Sequence, residues 1–88
     1  MAQRLKARAV DDVLGAAGHS SSEFEGGDWD PGYRTAQNGP RTVHVFHDGP
    51  GEEKQLTAYA KDLQETGYTV QHEQQPGGGR HRLVVNRH

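Results

Sequence analysis

Six histidines and no cysteine in 88 residues pose the first chemical question of this chain, because imidazole is the side chain that most readily binds a metal or moves a proton near neutral pH. The densest group is His44-Val45-Phe46-His47-Asp48. Residues three apart on a strand point to opposite faces, so His44 and His47 cannot share an ion without a bulge. No HExxH spacing, cysteine pair or calcium-loop pattern is present, and no metal site is expected. Gly77-Gly78-Gly79 falls between two strands rather than between a strand and a helix, which is a turn and not a phosphate cradle. Asp28 and Asp30 could be imagined as an acid-base pair, but their segment offers no rigid support for tuning a pKa. The chain is therefore expected to be non-enzymatic, with no catalytic residue and no cofactor.

What remains is the chemistry of contact. The net charge of -2 hides a segregation: Glu23 to Asp30 holds four acids and no base, whereas residues 80 to 87 hold Arg80, Arg82 and Arg87 and no acid. The three arginines are the candidate contacts to a nucleic acid. Phe24 and Trp29 lie inside the acidic stretch and have two readings, as lids folded over a thin core or as anchors of a partner-docking loop.

The elements that must position these groups follow from periodicity. Leu5, Ala9, Val10, Val13 and Leu14 recur at helical spacing and predict a helix over Gln3 to Ala17 that ends at Gly18. Residues 20–31 have no period and read as a long acidic-aromatic loop. Tyr33 to Gln37 and Arg41 to His47 read as strands joined at Asn38-Gly39, with Tyr33 opposite Val45 and Thr35 opposite Val43. After Asp48-Gly49-Pro50 a second helix buries Leu56, Tyr59, Ala60 and Leu63, with Glu52 and Glu53 complementing its positive end. Tyr68 to Gln74 and Arg80 to Arg87 close the pattern as a hairpin that sets Val70 against Val85, His72 against Leu83, Gln71 against Val84 and Glu73 against Arg82. The expected fold is α+β, an internally duplicated αββ-αββ domain. Its pseudo-repeats are 3–48 and 50–88, and its four-stranded antiparallel sheet has both helices on one face.

That arrangement leaves the other sheet face uncovered, carrying Arg34, His44, Phe46, Glu73, Arg82 and Val84. With so short a chain the core is thin, and burial of Phe46 and Val84 against a second copy would relieve it, so a homodimer is expected. Phe46 beside Arg34, Arg82 and His44 also has the ingredients of a platform that stacks a base and contacts phosphates. No apolar run is long enough to span a membrane and no disulfide framework exists, which points to a cytoplasmic protein.

The strings Gly32-Tyr33-Arg34-Thr35-Ala36-Gln37-Asn38-Gly39-Pro40-Arg41-Thr42-Val43-His44-Val45 and Tyr59-Ala60-x-x-Leu63-x-x-x-Gly67-Tyr68-x-Val70 resemble small uncharacterised proteins of actinobacteria and of their phages and integrative elements. The resemblance runs from about Val10 to Val85. It implies an accessory gene product without a family-level catalytic site, and it carries over no functional residue; the chain is expected to be a small accessory or regulatory binding protein acting through protein contacts.

Overall fold

The computed structural model describes residues 4–22, 24–25, 28–29, 31–74 and 80–87, with the backbone alone at 24–25 and 28–29. Its elements are α1 (Ala7–Ala16), β1 (Phe24–Glu25), β2 (Asp28–Trp29), β3 (Gly32–Gln37), β4 (Thr42–Asp48), α2 (Glu52–Thr66), β5 (Thr69–Gln74) and β6 (His81–Asn86). The main sheet is antiparallel in the order β3-β4-β6-β5, so the two hairpins meet along β4 and β6. The fold is α+β, with two helices and a four-stranded antiparallel sheet.

Alternation along the strands decides what is buried. Val43, Val45 and His47 of β4 and Leu83 and Val85 of β6 point to the helical side. There they meet Val10 and Leu14 of α1 and Leu56, Tyr59 and Leu63 of α2, with Leu5 and Tyr33 completing the core. Both helices end in the same backbone motif, in which glycine takes a left-handed conformation that other residues adopt at a cost. Gly18 (φ +93°) and Gly67 (φ +109°) hold that position, and the following His19 and Tyr68 donate their N–H groups to Leu14 O and Leu63 O, both at 3.1 Å.

The β5–β6 register is the one the sequence predicts, Val70 with Val85 and Glu73 with Arg82. The β3–β4 register is displaced by two residues: Tyr33 pairs with His47 and Thr35 with Val45. The turn is longer than Asn38-Gly39 alone implies, because Pro40 has no N–H for the ladder and its carbonyl accepts the Leu5 N–H at 3.0 Å. A two-residue displacement preserves which face each side chain takes.

Two further expectations are corrected. The first helix begins at Ala7 rather than Gln3, because Gln37 draws the preceding residues into an extended path, accepting from Ala7 N–H at 2.7 Å and donating to Leu5 O at 2.6 Å. The 20–31 segment is not wholly irregular. Phe24 and Glu25 pair with Trp29 and Asp28 as a minimal hairpin, and Ser21 makes a parallel bridge to Tyr33. The bridge is held by Tyr33 N–H to Ser20 O at 2.9 Å and Ser22 N–H to Tyr33 O at 2.7 Å. This approach is so close that a Cβ on Gly32 would strike the Ser20 carbonyl and the Ser21 backbone. No helix is long and apolar enough to cross a membrane among the described residues.

Candidate functional site: the uncovered sheet face

Odd-even alternation sends Arg34 of β3, His44 and Phe46 of β4, Arg82 and Val84 of β6 and Glu73 of β5 away from the helices, and register brings them together. Arg34 pairs directly with Phe46, His44 with Val84, and Glu73 with Arg82. Phe46 is the apolar centre. The guanidinium carbons of Arg34 and Arg80 stand 5.0 and 5.7 Å from its ring centroid, within cation–π range. The His44 ring meets it edge-on at 6.3 Å.

The two guanidiniums are held over the ring by a single carboxylate. Asp48 accepts from Arg34 Nε on Oδ2 and from Arg80 Nη2 on Oδ1, each at 3.0 Å. Arg80 also donates to His47 O at 2.7 Å and to Glu52 Oε2 at 3.4 Å, which ties the face to the first turn of α2. Burial opposes ionisation of Asp48, but the neighbouring Ser22 hydroxyl and the Arg80 and Arg34 guanidiniums outweigh it and hold the carboxyl below its usual range. Arg82 Nη2 and Nε reach Glu73 Oε1 at 3.1 and 3.2 Å. Burial and the Arg82 charge push the His44 imidazole below its ordinary value, against the opposing pull of Glu73.

The structure divides the arginines that the sequence groups together. Arg80 and Arg82 lie on the uncovered face and are each paired with carboxylates, whereas Arg87 sits beyond the end of β6 and donates to Arg4 O at 3.1 Å. The side chains of Phe24 and Trp29 lie outside the described residues, although the backbone register sets the two directly opposite each other.

Beneath the helices lies a polar cluster that the sequence does not announce. His47, 5% exposed, donates from Nε2 to Pro50 O at 3.2 Å, so its Nδ1 accepts the Tyr59 hydroxyl at 2.7 Å. Burial, with Tyr33 and Asp48 nearby, pushes the Tyr59 hydroxyl up to about 12. His19 bonds Asp62 Oδ2 at 2.6 Å and stands edge-on to Tyr59 at 4.7 Å. Both nitrogens of His47 are thus occupied by structural partners, and the cluster presents no nucleophile. Its one sequence signal is Gly18-His19, where the helix end fixes the imidazole against α2. Near the hairpin end, His72 Nε2 and His81 Nδ1 lie 3.0 Å apart, with Glu53 on the other nitrogen of His81 at 3.0 Å. Among the described residues no three histidines or acids converge as a metal set would.

No protein family, curated protein or solved structure matches this chain. The functional reading rests on the geometry of the site itself.

Proposed function

We propose that this protein is a small non-enzymatic binding module that works through protein–protein contacts of its uncovered sheet face, and that a second copy of the chain is its partner there. The observation that carries the reading is the double guanidinium cover of Phe46. An aromatic centre fixed by Arg34 and Arg80, with Val84 and His44 beside it and a rim of ion pairs, has the anatomy of a protein interface. The rim carries both signs, Arg34, Arg80 and Arg82 with Asp48 and Glu73, so two copies related by a two-fold axis can place cation against carboxylate. Burial of Phe46 and Val84 would also enlarge a core that is thin for the chain length.

The same pairing weighs against the sheet face as a nucleic-acid platform. A phosphate would have to displace Asp48 from two arginines or Glu73 from the third, and two guanidiniums already stand against the Phe46 ring on which a base would stack. A self-associating adaptor of this size, working in the cytoplasm, suits an accessory or regulatory role in a phage or mobile element. Amide chemical shifts recorded over a dilution series test the surface. Arg34, His44, Phe46, Arg82 and Val84 should move together while α1 and α2 stay fixed, and movement confined to the helices would contradict the proposal.

A further inference from the structure

A second surface, at the far end of the molecule, carries cations that make no ion pair among the described residues. The segment Arg4-Leu5-Lys6 runs extended and is tied at four points. Leu5 N–H donates to Pro40 O at 3.0 Å, Gln37 bonds Leu5 O at 2.6 Å and Ala7 N–H at 2.7 Å, and Arg87 donates to Arg4 O at 3.1 Å. Leu5 is fully buried. Alternation along an extended chain then obliges Arg4 and Lys6 to point outward, about two residue steps or ~6.7 Å apart. Arg8 follows on the first turn of α1, and Arg87 arrives from the end of β6.

These four cations line one groove of about 340 Å³ together with Ala9 and Asp12, and Asp12 is the single carboxylate among its lining residues. Arg4, Lys6 and Arg8 also border an adjoining groove of about 560 Å³ that contains no acid among its lining residues. Arg4, Lys6 and Arg8 make no ion pair among the described residues, in contrast to Arg34, Arg80 and Arg82. Nor, among the described residues, does this end present an aromatic anchor of the kind that gives protein interfaces their affinity. A fixed array of four cations with one carboxylate and without an aromatic anchor binds by charge, and the polyanion that such an array suits is a phosphodiester chain.

We propose that Arg4, Lys6, Arg8 and Arg87 form a binding surface for the phosphate backbone of nucleic acid, contacted without regard to base sequence. The surface is separate from the sheet face and does not depend on self-association. Because its backbone is already tied by hydrogen bonds, little ordering accompanies binding, and the contact is between guanidinium or ammonium groups and phosphate oxygens.

Fluorescence anisotropy with a labelled mixed-sequence DNA duplex tests this directly. Four phosphate contacts predict that affinity falls about 100-fold between 50 and 200 mM monovalent salt, the same for unrelated sequences. The triple variant R4A/K6A/R8A should lose binding by more than about tenfold at low salt and flatten the salt slope by about three. The surface control K54A/K61A should bind as the unmodified protein does. Equal melting temperatures establish that the triple variant is folded, and the single charge reversal R8E, at a side chain that makes none of the hydrogen bonds tying the segment, gives a second reading in the same direction. Three results would overturn the proposal: no binding to duplex at low salt, loss through R80A/R82A with the triple variant unaffected, or equally tight, equally salt-sensitive binding to polyglutamate, which would make the surface a site for acidic protein.

Discussion

The hydroxyl of Tyr59 lies 2.7 Å from Nδ1 of His47, joining α2 to β4 through the middle of the core. Because Pro50 O can only accept, His47 must donate from Nε2, and Tyr59 is left to supply the proton of the bond. The pair is what allows an imidazole to sit on the apolar side of a central strand.

Replacing Tyr59 by Phe keeps the ring and strands a buried acceptor, so chemical denaturation should show a loss of about 1–3 kcal/mol. The pH dependence separates this bond from simple packing. The folded-state pKa of Tyr59 is raised to about 12 from 10.0, so its contribution is fully present below pH 10 and is lost as pH rises toward 12. The unmodified protein should lose up to about 3 kcal/mol across that window, and Y59F should lose markedly less. Parallel curves for the two proteins would show that the hydroxyl is not held as described.

Asp48 makes the opposite prediction at the acid end. Its carboxyl is depressed below the ordinary 3.8, so the stability it contributes is present above that value and disappears as pH falls through the folded-state pKa. D48N should be less stable than the unmodified protein at neutral pH, since Arg34 and Arg80 lose their shared anchor, and its acid unfolding limb should be shallower. Thermal melts at pH 7 and pH 3 that differ equally for both proteins would contradict the shared anchoring of Arg34 and Arg80 by Asp48.

Gly32 reports on the parallel bridge that the 20–31 segment makes to β3. A methyl group there meets the Ser20 and Ser21 backbone, and one of the two chains must yield. G32A should lower stability by about 1–3 kcal/mol through this crowding. An unchanged melting temperature would mean that Ser20 to Ser22 does not lie against β3.

Much of this architecture was legible because the strands alternate cleanly. Val43, Val45, Leu83 and Val85 mark the buried face, and the Glu73–Arg82 cross-strand pair fixes the β5–β6 register from sequence alone. The β3–β4 register was not legible, because it depends on the Leu5 N–H capturing Pro40 O, a contact between residues 35 positions apart that no local turn rule contains. The same tertiary contacts override helix propensity before Ala7, where Gln37 offers Leu5 and Ala7 hydrogen bonds that an added helical turn would have to replace. On the candidate face, Arg34, His44, Phe46, Arg82 and Val84 follow from alternation. The role of Asp48 does not, since only the fold brings Arg80 from the other hairpin to the carboxylate that holds Arg34. The arginines of residues 80–87 read as one basic stretch, and alternation together with ion pairing separates them into Arg80 and Arg82, held by carboxylates, and Arg87, which donates to Arg4 O.

His44 gives the folded state a pH dependence of its own. Burial and Arg82 hold it below 6.5, so its favourable contribution to the folded state is present above that value and is lost as pH falls below it. H44N should therefore reduce the loss of stability that the unmodified protein shows between pH 7 and pH 5, as followed by urea midpoints. An identical decline in H44N would assign that limb to other groups.

The central claim is that the face built around Phe46 is where two copies of the chain meet, and sedimentation equilibrium over a micromolar concentration range measures it most directly. The unmodified protein should fit a monomer–dimer equilibrium. F46E should sediment as a monomer with an unchanged circular dichroism spectrum, because the substitution places a carboxylate at the centre of the interface without touching the core on the other side of β4. A monomer in the unmodified protein across the whole range, or a dimer that survives in F46E, would contradict the account.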